Sequence, residues 1–316
     1  MPIEHLINNR QLMSNDTLPN ELVFDTNKNY IFELNYLGGL DLQGDKAAEF
    51  LQGQLSCDIR EVNAQQMRPG AMCNLQGRII ALMDVVEWNG LHLILPKDQL
   101  ETTQTNLAKA ALFSRVTLKP NQSLQLFGFY LQNKEDTIPF DAVLPMNKEE
   151  VISTETYCCY QITEQLYLFL THENTIKNGF DKAQYRGSLA WHALQLQAGY
   201  IEIYPASRGL FLPHRLGLQR TSYLSFNKGC YKGQEIIART HYRAKLKHSM
   251  KLFTIETTDI LFSGQKMLDI ITKAELGEVI DYCPIGLNQY TIAISSIFEH
   301  ENTIHLEKQQ ENCMLK

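Results

Sequence analysis

The sequence predicts an α+β fold with a small all-β module at its C-terminal end. Residues 99–113 carry apolar side chains at the spacing of one helical face, and residues 187–197 form a second strongly helical segment. From residue 250 onward, short strand-like runs alternate with turns such as Ser263-Gly264 and residues 284–286. This change of pattern indicates that the all-β module follows a body of mixed helices and strands.

The remaining elements follow from the period of the apolar residues and from the positions of glycine and proline. Residues 30–43 predict one or two strands broken by Gly38-Gly39, and residues 45–55 predict a helix with one buried face. A hairpin is expected around Gln76-Gly77. Further strands are expected in the body at 91–95, 124–130 and 157–170, and in the C-terminal module at 251–257, 277–282 and 291–298.

Length and composition favour a protein of two or three domains. The chain has 316 residues, of which 44% are hydrophobic, and no apolar run approaches the ~20 residues of a membrane-spanning helix. The first 16 residues are mixed and polar, so no signal peptide is evident. Seven cysteines are scattered without a Cys-x-x-Cys pair, which favours a reducing compartment and argues against a structural zinc site. We therefore expect a cytoplasmic protein with no metal site and no membrane contact.

Charge is distributed unevenly along a chain whose net charge is −6. Against the single acid Glu235, residues 228–248 contain six basic residues: Lys228, Lys232, Arg239, Arg243, Lys245 and Lys247. Such a run is often only a solvated face, and the alternative is a basic rim that attracts an anionic ligand or RNA phosphates. Because no RNA-binding module accompanies it, we expect any contact with nucleic acid to be weak or indirect.

Residues 228–235, which read Lys-Gly-Cys-Tyr-Lys-Gly-Gln-Glu, carry the strongest chemical signal in the chain. Cys230 lies between two glycines, just before a predicted helix over 234–240. A thiol near a helix N-terminus, with Lys228 and Lys232 beside it, is expected to have a lowered pKa and to be reactive. The alternative is a strand-to-helix turn in which the cysteine is merely small.

Together with Phe226, this octapeptide resembles the signature of the YgfZ family of folate-binding proteins, relatives of the aminomethyltransferase (T-protein) of the glycine cleavage system. Four weaker segments occur in the order that the family shows. They are Gln-Gly-Gln within 50–58, Phe-Ser-Arg-Val at 113–116, the segment 191–199 that ends in Ala-Gly, and 209–213. The resemblance covers about residues 30–245.

The resemblance implies an aminomethyltransferase-like α+β body with a small C-terminal β-barrel. On this basis we expect an α+β domain over 1–125 that is completed by 186–245, a ferredoxin-like α+β subdomain over 126–185, and a β-barrel over 246–316. The linker to the barrel is expected at 240–249.

The resemblance also implies a function. It predicts that tetrahydrofolate or a derivative is bound as a cofactor, and that the protein is an accessory factor for iron–sulfur cluster assembly or repair and for methylthiolation of tRNA. The expected partners are folate and iron–sulfur enzymes or assembly proteins, with tRNA contact indirect or weak.

Candidate ligand-binding residues lie on the matched motifs. Trp191 is on the second predicted helix, where a tryptophan is most often part of the core, but the resemblance implies that it lines the folate pocket. The family's other folate-associated tryptophan falls at Leu37, or beside it at Tyr36. Gln52 and Gln54 are candidate amide partners of the pterin edge, with bracing of the cysteine loop or a solvent-facing position as alternatives.

The remaining candidates flank the cysteine motif or precede it. Gln234 and Glu235 open the helix after the motif, a position that suits an acid for the helix dipole alone. Arg208 and His214 flank a Phe-Leu-Pro stretch and are candidates for contact with folate carboxylates. Lys228 is a candidate anion contact or activator of the Cys230 thiol, which we take as the functional group.

Two alternative functions share these residues. A true aminomethyltransferase places a carboxylate shortly after the glycine of its second motif, at positions that correspond to Ala81-Leu82 here. The nearest acid, Asp84, is two to three residues further on, and a shift of three turns it to the opposite face of the strand. We therefore expect no carboxylate at the folate site and no transferase activity. A thiol redox or persulfide-handling role of Cys230 is compatible with the accessory function.

Overall fold

The computed structural model describes residues 2–243, 248–297, 303–309 and 312–316, apart from the side chains of residues 174 and 175. Within these residues the helices are α1 (Leu18–Glu21), α2 (Ala47–Gln52), α3 (Lys97–Ser114), α4 (Ser188–Gln197) and α5 (Gln234–Arg243). The strands of the body are β1 (Ile3–Ile7), β2 (Arg10–Ser14), β3 (Tyr30–Glu33), β4 (Leu37–Gln43), β5 (Arg68–Cys73), β6 (Ile79–Glu87), β7 (Leu91–Pro96), β8 (Thr117–Asn121), β9 (Gln125–Tyr130), β10 (Val151–Ser153), β11 (Tyr157–Gln161), β12 (Leu166–Thr171) and β13 (Tyr185–Arg186). The C-terminal strands are β14 (Ser249–Glu256), β15 (Lys266–Leu268), β16 (Glu275–Gly286), β17 (Gln289–Ser296), β18 (Thr303–Leu306) and β19 (Asn312–Met314).

The first sheet of the body is antiparallel, with the strand order β5-β6-β7-β4-β8. Helices α2 and α3 share a hydrophobic core with one of its faces. Side chains alternate along β6, so that Ala81, Met83 and Val85 lie in this core while Leu82 and Val86 belong to the central core on the other face. Over residues 81–86, odd-numbered side chains of β6 therefore pack against α2 and α3, and even-numbered ones face the centre of the molecule.

The second sheet has the strand order β10-β11-β12-β9-β3-β13, with β13 parallel to β3. Strand β3 joins it although it precedes the whole first sheet in the sequence. The expected division at residue 125 therefore differs from the strand pairing, because the sheet draws on residues 30–33 as well as on 125–186. The segment 126–185, as far as it is described, contains strands and 3-10 turns but no α-helix.

Helix α4 lies at the centre of the molecule, in contact with β2, β3, β16 and β17. Its Trp191 and His192 are fully buried. The indole of Trp191 packs over Gly128 of β9, where any Cβ would overlap the ring. The tryptophan therefore fills space that only glycine leaves open.

The C-terminal strands form a curled antiparallel sheet in the order β14-β17-β16-β15-β18-β19. Thr254 of β14 and Lys316, just beyond β19, exchange both backbone hydrogen bonds at 2.8 and 3.0 Å. The first strand thus meets the end of the last, which confirms the expected small barrel-like module after an α+β body.

Several sequence expectations differ in detail from the structure. Helix α3 has the expected extent, but Leu112 and Phe113 are 76% and 79% exposed, so its apolar residues do not all face the core. The expected linker over 240–249 begins as helix, because α5 continues to Arg243. The rest of that linker includes residues 244–247, among them Lys245 and Lys247, which lie outside the described residues, as does the end of the strand expected at 291–298.

Candidate functional site

A cavity of about 550 Å³ lies where the first and second sheets described above meet the start of the C-terminal sheet. Its walls come from β5 and β6, from β11, from the end of α4, from residues 214–223 and from residues 248–250. This volume is typical of sites that bind small molecules. The cavity therefore brings together parts of the chain that are far apart in sequence.

Asp84 of β6 lines the cavity together with Leu82, two residues before it. The expectation that Asp84 faces away from the site is wrong. It takes Ala81 as the residue that faces the site, but Ala81 faces α2 and α3, and Asp84 lies on the opposite side of the strand, towards the cavity. The hydroxyl of Tyr160 donates a hydrogen bond of 2.7 Å to Oδ2 of Asp84. Burial raises the pKa of Asp84 to about 6, and the charge of Glu149 adds to the rise while the Tyr160 hydrogen bond opposes it.

Glu149 places a second carboxylate in the cavity wall. Nη1 of Arg68 lies 3.0 Å from its Oε2, and the hydroxyl of Ser222 donates to its Oε1. Glu149 is thus neutralised by a cation, whereas Asp84 has no ion-pair partner within the described ranges. The carboxyl group of Asp84 is the one left to interact with a ligand.

Three side chains of the cavity wall carry buried polar atoms that have no hydrogen-bond partner in the described part of the chain. These atoms are Oε1 of Gln195, Oε1 of Gln219 and both ring nitrogens of His214. Burial lowers the pKa of His214 to about 4, and the nearby His241 adds to this effect. Since buried polar groups in proteins are nearly always hydrogen-bonded, these atoms are available to a ligand.

Exposed cations lie at the edge of the cavity. Lys148 and Arg220 belong to its wall and are both exposed. Nζ of Lys148 lies 5.2 Å from the ring centroid of Tyr200, a further wall residue. The arrangement combines less exposed acids, Asp84 and Glu149, with positive charge that faces solvent.

A smaller cavity of about 70 Å³ adjoins the large one and shares Leu82 and Asp84 with it. Tyr36 and Leu37 line this smaller space, so two predicted ligand-binding residues lie beside the main cavity. The Tyr36 hydroxyl donates a hydrogen bond of 2.8 Å to Glu202. What remains of Tyr36 for a ligand is therefore its ring.

Two other predicted ligand contacts lie elsewhere. Trp191 is absent from the walls of both cavities, and its ring centroid lies 5.4 Å from that of Phe32 in the core. We therefore assign Trp191 to packing. Arg208 donates to Oε1 of Gln99 at 3.0 Å and to the carbonyl of Asp98 at 2.7 Å, which ties it to the start of α3 and not to the cavity.

Cys230 is exposed, whereas the other six cysteines are buried. Burial raises the pKa of Cys57, Cys73 and Cys158 to about 12. Those three thiols stay protonated at neutral pH, and Cys230 is the cysteine that reagents and partners can reach.

Lys228 does not take the role that its sequence position favours. Its ammonium is buried and donates to the carbonyl oxygens of Leu55 and Cys57, at 2.6 Å each. The same Nζ lies 5.0 Å from the ring centroid of Tyr231. Burial lowers the pKa of Lys228 to about 8. Lys228 thus anchors the cysteine loop to the turn after α2, where it serves neither as an anion contact nor as an exposed charge.

The two glycines of the motif differ in their surroundings. Gly233 has a φ of +86°, and a Cβ on it would lie 2.5 Å from the carbonyl oxygen of Asn74 and 3.1 Å from Cα of Gly77. Gly77 also has a positive φ, of +71°. The backbone just before α5 therefore packs directly against the backbone of the β5–β6 turn, with no room for a side chain between them. Nothing lies within 4 Å of a Cβ on Gly229.

Gln52 braces the turn after α2 that receives Lys228. Its Nε2 donates to Oδ1 of Asp58 at 3.0 Å, and its Oε1 accepts from the backbone N–H of Ile59 at 2.7 Å. Both ends of the Gln52 amide are used within this turn, so Gln52 supports the residues that receive Lys228 and makes no hydrogen bond to the cysteine loop itself, all of which lies within the described ranges. It lines neither cavity.

The last three candidates lie around the motif but outside the cavity walls. Oε1 of Gln234 accepts from the backbone N–H of Tyr231 at 3.3 Å, so it closes the loop before α5. Glu235 is exposed and Gln54 is half-buried. Cys230, Lys228 and Gln234 thus form one loop, while Asp84 and His214 belong to the cavity.

Other wall residues were not predicted at all: Glu149, Tyr160, Gln195, Tyr200, Gln219 and Tyr223. They carry no local motif and come from separate elements, since Tyr160 is on β11, Gln195 is on α4 and Gln219 lies in a turn well after α4. The described ranges contain no group of three or more His, Cys, Asp or Glu that could hold a metal ion. No helix within them has the length and apolar character needed to cross a membrane.

Comparison with known proteins adds to this geometry. No family model matches the sequence. A protein of Colwellia psychrerythraea named tRNA-modifying protein YgfZ is 28% identical over 233 residues, which cover 70% of each chain. One of the same name from Escherichia fergusonii is 25% identical over 287 residues, which cover 84% of this chain and 88% of the relative.

This chain resembles the YgfZ proteins over most of its length. The resemblance inferred from the cysteine motif is thereby confirmed. The structure is similar to the crystal structure of the glycine cleavage system aminomethyltransferase T from Bartonella henselae, with a TM-score of 0.71 and 13% identity. The superposition covers 96% of this chain and 90% of the Bartonella chain. At that identity the match shows the fold alone, and the fold is the aminomethyltransferase type that the motifs implied.

Proposed function

We propose that the cavity binds tetrahydrofolate or a derivative, and that the protein is a folate-binding accessory factor in tRNA modification. The observation that carries the proposal is the cavity built around Asp84, a carboxyl group without an ion-pair partner in the described ranges, beside the unpaired atoms of Gln195 and Gln219. The YgfZ name of the relatives and the aminomethyltransferase fold support folate as the ligand.

The residues present fit the chemistry of a folate. A pterin edge offers N–H donors to the carboxylate of Asp84 and to the free amide oxygens, which accept hydrogen bonds. Tyr200, Tyr223 and Leu82 supply the apolar and aromatic wall that a flat heterocycle requires. Lys148 and Arg220 carry the positive charge that suits the glutamate carboxylates at the mouth. When bound, the folate would supply the capacity to carry a one-carbon unit.

The cellular role that we propose follows from the relatives' name and from Cys230. We infer that the protein supports iron–sulfur enzymes that modify tRNA, with Cys230 as the group that acts on a partner protein and tRNA contacted indirectly. An exposed thiolate can attack a disulfide of a partner protein, so that a mixed disulfide forms while the partner's S–S bond breaks and its second sulfur leaves as a thiolate; the six buried cysteines cannot reach a partner.

The binding test is calorimetric titration of the protein with tetrahydrofolate and with its 5-formyl form. We expect saturable binding that Asp84→Asn weakens at least tenfold, because a charged acceptor is replaced by an amide. The variant Glu235→Gln, on the exposed side of α5, is the matched control and should bind as the wild type does. Absence of binding to either folate would refute the proposal.

The cellular test uses Cys230→Ser in a strain that lacks its own YgfZ-type protein. We expect the variant to fold and to bind folate normally, yet to leave methylthiolated tRNA at the level of the deleted strain. Full complementation by Cys230→Ser would show that the thiol has no part in the function.

Asp84 also favours a second candidate, one-carbon transfer to tetrahydrofolate of the aminomethyltransferase type. The absence of a carboxylate was the sequence argument against it, and Asp84 does line the cavity. The test is an assay with an aminomethyl-lipoyl donor and tetrahydrofolate. Turnover that is lost in Asp84→Asn would establish the transferase, and a rate equal to the uncatalysed one would exclude it.

A further inference from the structure

His214 is a buried polar side chain for which the described part of the fold provides no partner. It is 2% exposed, it lines the cavity, and both ring nitrogens are buried without a hydrogen bond. Its nearest ring neighbours are His241 and Phe226, with centroids 5.8 and 6.4 Å away. Burying hydrogen-bonding groups without partners destabilises a protein, so an unpaired group of this kind in a cavity wall requires an explanation.

The charges around His214 favour its neutral form. The next residue, Arg215, forms an ion pair of 3.0 Å with Glu278 and lies 3.4 Å from His248, which is also in the cavity wall. His241 faces the ring from α5. The acids Asp84 and Glu149 stand on other parts of the wall, and neither is bonded to His214. A neutral imidazole offers one donor and one acceptor.

We propose that His214 is a ligand contact of the cavity, whose neutral ring donates one hydrogen bond to the bound ligand and accepts another. These bonds form only when the ligand is present. The inference rests on the proposed function, since it takes the ligand to be tetrahydrofolate or a derivative. A ligand that satisfies both nitrogens must carry donors as well as acceptors, as a pterin or an aryl amide does. A simple carboxylate satisfies only the donor.

The experiment separates a ligand contact from a packing role by two measurements on each variant. His214→Phe keeps an aromatic ring but removes both ring nitrogens. We therefore expect tetrahydrofolate to bind 10- to 100-fold more weakly, because leaving its hydrogen-bonding groups buried and unpaired costs about 1–3 kcal/mol. The unfolding midpoint of the ligand-free variant should equal or exceed that of the wild type, because the unpaired nitrogens are gone. His214→Leu is a second apolar variant in case phenylalanine is too large. His214→Gln keeps a donor and an acceptor and should recover most of the affinity.

A matched control is His305→Phe, because His305 lies on β18, which contributes no residue to the cavity wall, and is bonded to Asn312. It should leave folate binding unchanged. Wild-type affinity in His214→Phe and His214→Leu would overturn the inference while leaving the proposed function intact. Lower ligand-free stability of both, with weak binding in His214→Gln as well, would also overturn it in favour of packing. A wild-type protein that binds no folate would remove the proposed function and this inference together.

Discussion

Replacing Gly233 with alanine is expected to lower the free energy of unfolding by about 2–5 kcal/mol. The first contribution is the backbone, because a φ of +86° places the new Cβ in the left-handed region, at a cost of about 1–2 kcal/mol. The second is steric, because that Cβ would lie 2.5 Å from the carbonyl oxygen of Asn74 and 3.3 Å from Cβ of Cys73. Moving backbone out of the way costs about 1–3 kcal/mol more.

The matched control lies in the same octapeptide. Gly229 does not have a positive φ, and nothing lies within 4 Å of a Cβ built on it. Gly229→Ala should therefore change the free energy of unfolding by no more than about 0.5 kcal/mol. Both variants also remove the same glycine entropy from the unfolded chain, so their difference reports the folded state.

The assay is urea unfolding followed by circular dichroism, with the midpoints of wild type, Gly229→Ala and Gly233→Ala compared at one protein concentration. We expect only the Gly233 variant to shift. Equal midpoints for the two variants would refute the backbone contact between the start of α5 and the β5–β6 turn.

Three further predictions concern the thiol, the carboxyl group and the indole. Limited alkylation with iodoacetamide near neutral pH should label Cys230 before any other cysteine, as peptide mapping would show, and uniform labelling would contradict the burial of the other six. Folate affinity should fall by up to about tenfold per pH unit below pH 6, because protonation of Asp84 removes the charge that strengthens the hydrogen bonds it accepts from the pterin; calorimetry across pH should give a flatter profile for Asp84→Asn. The same raised pKa means that Asp84 stabilises the ligand-free protein at pH values below its unfolded pKa of 3.8 and that this stabilisation is lost as pH rises through about 6. Trp191→Ala should destabilise the protein by about 3–5 kcal/mol, and the more conservative Trp191→Phe should leave folate affinity unchanged, whereas a weaker affinity in a stable Trp191→Phe protein would place the indole at the ligand.

Local patterns predicted the long helices and the cysteine loop, because their signals lie within a few residues of one another. The period of the apolar residues located α3 and α4, and glycine, lysine and the helix start located Cys230. The cavity could not be predicted in this way, because Asp84, Tyr160 and Gln195 lie on β6, β11 and α4, which come together only through the packing of the whole fold.

Two expectations about the site differ from the structure for specific physical reasons. The face on which Asp84 lies is hard to predict, because successive residues of a strand face opposite sides and the count can begin at Ala81 or at Leu82. The orientation of Trp191 cannot be read from the sequence of α4, because its polar residues Ser188 and His192 are buried like the apolar ones.

The turn at residues 55–57 fastens the cavity wall and the thiol loop to the same three residues. The hydroxyl of Ser56 donates to the carbonyl of Tyr223 at 2.6 Å, and its own carbonyl accepts from Ser225 at 2.9 Å. The carbonyls on either side of it receive Lys228. A chimera that transplants the cysteine motif into another protein would therefore need this distant turn as well. Without this turn, the grafted octapeptide would lose the hydrogen bonds that Lys228 makes to Leu55 and Cys57, and with them the support of its loop.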